Sequence, residues 1–456
     1  MAKPFVSPDV IRADFARSMS EMYRAEVPLY GTLIDLVAAI NAEHLAQRPG
    51  LRAALEASGD LDRVSEERHG AIRVGTASEL SMLRRLFAVM GMYPVSYYDL
   101  SVAGIPVHST AFRPVDEAAL KANPFRVFTS LLRLELIEDV ALRTAAEEAL
   151  AARDIFTPRA RALVAEAEAK GGLGPKEAER FVAEAVETFR WHATATVPVE
   201  TYGALSAEHR LIADVVSFRG PHINHLTPRT LDIDAVQAAM PDRGIDPKET
   251  IEGPPARAVP ILLRQTSFKA LEEEIGFPDA EGRVTPGTHT ARFGEIEARG
   301  IALTRKGRAL YDRLLVQAMA ARKDRGAVGF KAAFADFPDD PTTLRAEGLA
   351  YFDYRATDKG RREGPPEEDL EALIAKGCVA AYPIVYEDFL PVSAAGIFQS
   401  NLGDSAAGEA YAAPSKARFE AALGAEVYDE FALYGAAEAR SIERCRADLG
   451  QALGVA

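Results

Sequence analysis

Val215-Val216-Ser217-Phe218-Arg219-Gly220-Pro221-His222-Ile223-Asn224-His225-Leu226-Thr227-Pro228-Arg229-Thr230 holds two of the chain's eight histidines, and the fold is read outward from it. Val215, Val216, Phe218 and Ile223 favour a pleated strand, Gly220-Pro221 permits a bulge, and Thr227-Pro228 ends the run, so the stretch reads as an interrupted strand. If residues 223–226 are extended, side chains alternate between the two faces of a sheet, and His222 and His225 point in opposite directions. Only one of them then serves a site on a given face.

Downstream, the β texture that begins at Leu211 continues through a helix over 231–240 to strands over 260–268 and 289–296, a βαβββ order in outline. The charged segment 269–287 is expected to be a long loop suited to closing as a lid. Upstream, Arg68-His69-Gly70-Ala71-Ile72-Arg73-Val74-Gly75 reads as a strand. Thr76-Ala77-Ser78-Glu79 then reads as a capping box opening a helix striped by Leu80, Leu83, Leu86, Phe87 and Met90. Runs over 93–102 and 105–114 form a hairpin about Ala103-Gly104, and 126–137 is a further run, strand or helix. Between the two halves, 138–192 is helical and rich in Ala, Glu and Arg. Its Gly171-Gly172-Leu173-Gly174-Pro175 follows no strand and is a linker rather than a phosphate loop.

Helices are expected over 8–25 and 30–45, with Arg48-Pro49-Gly50 as the break, and over 305–322. Tyr351-Phe352-Asp353-Tyr354 and 379–385 lie in a mixed region, followed by a segment of small residues at 389–402 and an alanine-rich helical tail from Ser415. The expected class is α+β: two βαβββ modules, 67–137 and 206–303, forming a partly open barrel around a metal site. A helical lead-in (1–66), inserted helices (138–205) and a mostly helical C-terminal region (304–456) that completes the pocket surround them. Corresponding strands then send residues into one shared cavity, where polar groups must be paired or bound.

Composition sets the outer bounds. The chain has 456 residues, 48% of them hydrophobic and 26% charged, which suits two or three soluble domain-sized units. Its formal charge of −14, with both signs interspersed, argues against a nucleic-acid footprint or an anionic membrane surface. The N-terminal residues lack a basic start followed by an apolar run, and no segment approaches ~18 uninterrupted apolar residues, so a cytoplasmic protein is expected. Cys378 and Cys445 have no neighbouring Cys or close His and read as buried small hydrophobes.

His69, His108, His222, His225 and His289 lie on or beside expected strands. Each alone reads as a structural imidazole. Together they admit a second reading, because two histidines and one carboxylate on a face, with positions left open, are the ligand set of non-haem Fe(II) oxygenases. Glu295 or Glu297 can supply the carboxylate; two apart on a strand, they share a face, and alternation does not choose between them. No histidine is followed two residues later by Asp or Glu, and there is no His-Glu-x-x-His helix, so any metal triad is spread along the chain.

Arg292-Phe293-Gly294-Glu295-Ile296-Glu297-Ala298-Arg299-Gly300 resembles the last metal-bearing strand of the vicinal-oxygen-chelate superfamily, whose modules are βαβββ. Glu67-Arg68-His69-Gly70-Ala71-Ile72-Arg73, Tyr97-Tyr98-Asp99-Leu100, His108-Ser109-Thr110-Ala111-Phe112-Arg113-Pro114, His222-Ile223-Asn224-His225-Leu226-Thr227-Pro228-Arg229 and Phe398-Gln399-Ser400-Asn401-Leu402 together resemble the bacterial 2-oxoadipate dioxygenase/decarboxylase family, from about residue 7 to past 400. The resemblance implies Fe(II) held by His69, His225 and Glu295, with Arg73 holding the substrate's far carboxylate and Val392 and Ser393 contacting substrate. It implies a 2-oxo dicarboxylic acid and O2 as partners, with 2-oxoadipate becoming 2-hydroxyglutarate and CO2 in lysine catabolism.

Arg73 is four residues from His69, on the same strand face and ~13 Å along it at ~3.3 Å per residue. Guanidinium pairs with a carboxylate bidentately, while an ion pair with Glu66 or Glu67 is the competing reading. Two other functions stay open on the residues themselves: a non-redox isomerase or hydrolase holding Zn2+, Ni2+ or Mn2+ in the same triad, and a non-catalytic dicarboxylate-binding protein. Oligomeric state is not legible, and His108 reads either as a group behind the site or as part of a hairpin.

Overall fold

A computed structural model describes residues 5–279, 281–364, 368–390 and 415–451. The chain divides into two compact units, one of Met1–Glu252, Gln265–Ala298 and Pro391–Val427, the other of Gly253–Arg264, Arg299–Leu390 and Tyr428–Ala456. Both strands and helices are abundant, as the α+β expectation requires.

The first unit opens with α1 (Pro8–Glu26), α2 (Pro28–Gln47), α3 (Pro49–Ser58) and α4 (Leu61–Glu66). Ser7 caps α1 by accepting from the Asp9 amide, Pro8 occupies a first-turn position that needs no N–H, and Ile11, Phe15, Met19 and Met22 form its buried face. Pro49 ends α2 and also opens α3. Next come β1 (Arg68–Val74), α5 (Ala77–Val89), β2 (Tyr93–Asp99), β3 (Val107–Arg113), α6 (Glu117–Ala122) and β4 (Arg126–Leu132), so the run at 126–137 is strand, followed by a 3-10 turn over Leu134–Leu136. The capping box is present: Thr76 accepts from the Glu79 amide, and Glu79 reaches back to the Thr76 and Gly75 amides. Gly104, at φ 79°, turns the chain between β2 and β3 where the hairpin was expected.

The inserted helices are α7 (Val140–Ala151), α8 (Pro158–Lys170) and α9 (Pro175–Glu187), followed by α10 (Val199–Glu208) and α11 (Arg210–Val216). Here the opening stretch departs from its strand reading: Val215 and Val216 are helical. His209 caps α11, its Nδ1 accepting from the Leu211 amide at 3.1 Å, and Ile212, Ala213, Val215 and Val216 are all buried. Burial on a capped turn outweighs the intrinsic preference of two valines. Phe218 makes a single antiparallel bridge to Ala195, and the paired strand begins later, at β5 (His225–Pro228), after the Asn224 amide donates to the Ala71 carbonyl.

After α12 (Ile233–Ala239) come β6 (Leu263–Ser267), β7 (Glu272–Pro278), β8 (Val284–Thr290) and β9 (Glu295–Arg299). Residues 269–287, expected as a loop, therefore hold β7 and most of β8, which pair in register from Glu272–Thr290 to Pro278–Val284. The strand expected over 289–296 is in fact the end of one strand and the start of the next. Alternation in 272–290 is masked by surface charge, which is why the hairpin was not legible.

One sheet of order β2-β3-β4-β1-β5 positions the site. β1 runs parallel to β4 and antiparallel to β5, with His69 opposite Arg126 and Thr227, and Ala71 opposite Phe128 and His225. Directly opposed residues share a face, so His69, Ala71, Arg73, Arg126, Phe128, Ser130, His225 and Thr227 all point one way. Ile72, Val74, Val127, Leu131 and Leu226 point the other way, into the core that α1, α5 and α9 complete. A bridge from Arg229 to Glu297 carries the pairing on from β5 to β9, which pairs with β6.

In the second unit, α13 (Arg305–Ala333) is interrupted at Gly326, whose φ of 60° and ψ of −148° are non-helical. β10 (Phe352–Ala356) pairs antiparallel with β11 (Val379–Pro383). Its outer edge is covered by the helix Glu430–Gln451, whose Ser441 and Glu438 accept from the Tyr354 and Phe352 amides. Cys378 and Cys445 are both buried and unpaired with each other.

Glu79 ties the inserted helices to the sheet. Its carboxylate also accepts from Arg153 at 2.8 Å, and Arg153 donates to the carbonyls of Val215 and Phe218. Replacing Glu79 with Ala removes a cap and strands a buried guanidinium, an expected loss of about 3 kcal/mol. Thermal unfolding of Glu79→Ala checks this; a midpoint equal to that of the parent protein would contradict it.

Candidate metal centre and adjoining cavity

His69 comes from β1, His225 from the first position of β5, and Glu295 from the first position of β9. Their ligand atoms lie within 4.8 Å of one another, and all three are buried. His69 Nε2 lies 3.1 Å from Glu295 Oε1, and His225 Nδ1 lies 3.6 Å from the same oxygen. The Thr227 hydroxyl donates to Glu295 Oε1 at 3.0 Å, and Gln265 Nε2 donates to Oε2 at 3.2 Å, which fixes the carboxylate plane. Phe293 stacks on His225 with ring centroids 4.8 Å apart.

Glu297 shares the face of Glu295 but stands on the other side of the imidazole: His69 Nδ1 lies 3.0 Å from Glu297 Oε2. The choice that alternation leaves open is thus divided. Glu295 joins the two histidines, and Glu297 orients one of them, the arrangement in which a carboxylate behind a ligating histidine fixes its ring and raises its basicity. Behind Glu297 is a buried ionic chain: Arg126 is 4.0 Å from Glu297 and 2.7 Å from Glu67, and Glu67 is 2.9 Å from Arg229 and 3.4 Å from Arg63.

Burial alone pushes the His69 pKa down, but Glu297 and Glu295 outweigh it and hold it above the ordinary histidine value. His225 is pushed down to about 4, chiefly by burial, and is neutral at physiological pH. Glu295 is held below its usual value: burial acts upward, while His225 and His69 act downward more strongly. Two imidazoles and an ionised carboxylate converging in a buried site, one ring backed by a second carboxylate, fit a divalent metal ion.

Beside the triad is a cavity of about 380 Å³ lined by, among others, Ala71, Arg73, Phe128, Ser130, Asp214 and Phe293. Ala71 and Arg73 continue the His69 face of β1, and Phe293, which stacks on His225, also lines the cavity, whose volume suits a small ligand. Arg73 makes neither of the ion pairs weighed for it. Glu67 is buried among Arg63, Arg126 and Arg229, while Arg73 Nη1 donates to Asp214 Oδ2 at 2.8 Å. Val392 and Ser393 lie outside the described residues. His222 joins Asp214 and His289 rather than the triad, and because residues 222–224 are not in a strand, the alternation expected between His222 and His225 does not apply. His108 opposes Leu131, on the helix-covered face of the sheet, where it meets Phe419 at 4.7 Å between ring centroids.

Sequence reasoning missed Asp214, Gln265, Thr227 and the chain from Glu297 to Arg229. Asp214 carried a usable signal, as a lone carboxylate within the apolar run Leu211 to Val216.

An α+β protein with a two-histidine, one-carboxylate centre beside a cavity has the make-up of a metal-dependent enzyme acting on a small polar molecule. A family model described as 2-oxoadipate dioxygenase/decarboxylase matches residues 15–401. A Pseudomonas putida protein of that name is 58% identical over 97% of this chain and 98% of its own length, and a Mycobacterium bovis protein of that name is 45% identical over 93% and 96%. The crystal structure of the hydroxyglutarate synthase from Pseudomonas putida in complex with 2-oxoadipate matches with a TM-score of 0.91 at 56% identity, covering 98% of this chain and 100% of that one. The chain belongs to the 2-oxoadipate dioxygenase/decarboxylase family.

A metal ion must displace the proton that the carboxylates retain on His69, so affinity is expected to fall as pH drops through the raised His69 pKa. Replacing Glu297 with Gln should weaken metal binding by roughly 10–100-fold and move that fall to lower pH. Anaerobic titration with Co(II) or Fe(II) between about pH 6 and 8, spanning the ordinary imidazole range, checks both; a pH-independent affinity would contradict them.

Proposed function

We propose that the chain converts 2-oxoadipate and O2 to 2-hydroxyglutarate and CO2 with Fe(II) held by His69, His225 and Glu295. The observation that carries this reading is the placement of His69, Arg73 and His225 on one sheet face, with Glu295 brought to the two histidines from β9 and a cavity lined by Ala71, Arg73 and Phe293 beside them. Family membership supports the substrate, since relatives carry the name 2-oxoadipate dioxygenase/decarboxylase and one was crystallised with 2-oxoadipate. In the same reading the chain works in the cytoplasm, in lysine catabolism. Its modules at 67–137 and 206–303 share the site, an arrangement supported by the pairing of β1 with β5 and the bridge from Arg229 to Glu297. Among the described residues no helix is long and apolar enough to cross a membrane.

Fe(II), when bound by two histidines and a carboxylate, offers open positions for a 2-oxo acid and O2 and the redox capacity to join them. The protein's own residues position and shield. Arg73 offers a charge-assisted hydrogen bond to the far carboxylate, which orients the chain of the acid so that its keto end lies at the triad. Phe128, Phe293 and Ala71 supply apolar walls that limit water beside the reacting carbons. Gln265 and Thr227 hold the Glu295 carboxylate, and Glu297 holds the His69 ring. The atoms balance: the C1 carboxylate leaves as CO2, one oxygen of O2 completes the new carboxylate at C2, and the other becomes the hydroxyl on the neighbouring carbon. The electrons come from the substrate, and no further organic cofactor is needed.

Turnover of 2-oxoadipate under labelled O2 by Fe(II)-loaded protein tests this. The expected product carries label in both its hydroxyl and its new carboxylate, with unlabelled CO2 released in step with O2 uptake. Decarboxylation without O2 uptake would contradict it. Glu295→Ala is expected to abolish turnover, and Arg73→Ala to lower kcat/KM by roughly 100-fold, mainly through KM, as truncation of a charged partner does.

A further inference from the structure

Histidine and carboxylate meet a second time in the first unit. Asp214 on α11, His222 and His289 on β8 bring ligand atoms within 4.8 Å of one another, and all three are buried. The composition repeats that of the first cluster, but the charges do not. Asp214 divides its oxygens: Oδ1 lies 2.9 Å from His289 Nε2 and 3.1 Å from His222 Nε2, while Oδ2 accepts from Arg73 Nη1 at 2.8 Å. Around His69 two carboxylates, Glu295 and Glu297, flank one ring and favour a divalent cation. In the second cluster the single carboxylate already faces a guanidinium, and a divalent ion would add uncompensated positive charge in a buried place. The arrangement suits holding Arg73.

The cluster is itself braced. His289 Nδ1 lies 2.8 Å from the Tyr202 hydroxyl, and the Trp191 ring stands edge-on to His222 at 4.7 Å and stacks on His289 at 6.1 Å. Burial acts to raise the Asp214 pKa, yet His222, His289 and Arg73 together hold it well below the usual carboxylate range, so the anchor for Arg73 stays ionised.

We propose that Asp214, His222 and His289 form a clamp that fixes the Arg73 guanidinium at one distance from the metal centre and so sets which length of 2-oxo diacid is preferred. This rests on the function proposed above. The backbone span from His69 to Arg73 is ~13 Å and is set by the strand, which leaves the conformation of the arginine side chain as the adjustable part of the reach. With one nitrogen on Asp214, the guanidinium is held at a set place in the cavity lining; without it, the side chain can follow a nearer or farther carboxylate.

The test compares the parent protein, Asp214→Asn and His289→Gln on 2-oxoadipate and on the 2-oxo diacids one methylene shorter and longer, with metal content and thermal midpoint recorded for each. A glutamine amide can occupy the place of Nε2 and keep the donor to Asp214. Asp214→Asn is expected to lose about tenfold or more in kcat/KM on 2-oxoadipate, chiefly through KM, with much smaller changes on the two homologues, because one methylene is normally discriminated by about 10–200-fold. His289→Gln is expected to keep the preference, and metal to stay at one equivalent per chain. An equal fall on all three acids, or a second metal equivalent lost in Asp214→Asn, would overturn the proposal.

If the parent protein turns over none of the acids, the function proposed above fails. The clamp is then read from equilibrium binding of the same acids to Co(II)-loaded protein without O2, where an unchanged preference in Asp214→Asn overturns it and a narrowed one supports it. Should Asp214→Asn not fold, His289→Ala against His289→Gln replaces it, with narrowing in the alanine variant only as the expected result.

Discussion

The His69 imidazole, held between two carboxylates of one strand, is the interaction on which the rest of the site depends. Glu295 and Glu297 are two apart on β9 and must point the same way, which places two negative charges on one buried face. Burial of an unpaired carboxylate costs several kcal/mol. The structure meets that cost by alternating charge through the interior, from Glu297 to Arg126 to Glu67 to Arg229 and Arg63. These residues come from α4, β4 and β9 and from the positions just before β1 and just after β5, so the ionic chain that makes the metal ligands tolerable also pins together the elements that carry them.

The sheet separates two tasks by face. One face of β1, β4 and β5 is apolar and packs on helices, and the other carries His69, His225 and Arg73, with Ala71 and Ser130 among the residues that line the cavity there. Close approach of β5 to β1 depends on Gly70, where a Cβ would sit 2.5 Å from Ile223 Cδ1 and 3.2 Å from the His225 carbonyl oxygen. A side chain there would push His225 away from His69. The cavity is therefore a product of strand register and spacing as much as of the residues that line it.

Much of this was legible in the chain. The first βαβββ order follows from the Thr76–Glu79 capping box, the helical stripe after it and the turn at Gly104, all local signals with local causes. The three residues of the triad came from resemblance, since spacing admitted Glu297 as readily as Glu295; only the strand pairing that brings β9 against His69 tells them apart. Other features failed to show because their causes are not local. Val215 and Val216 are helical on account of what buries them, the 272–290 hairpin is exposed and charged, and Asp214 gains meaning only when β8, α11 and β1 meet.

Spectroscopy of the anaerobic complex tests the central claim most directly. Protein loaded with Fe(II) and then given 2-oxoadipate without O2 should develop a visible charge-transfer band, saturating at one iron and one acid per chain, because the acid chelates a metal that three protein ligands leave open. The band should be lost in His225→Ala and Glu295→Ala while both variants remain folded. A band of full strength in either variant would show that the metal is held elsewhere, and would contradict the account.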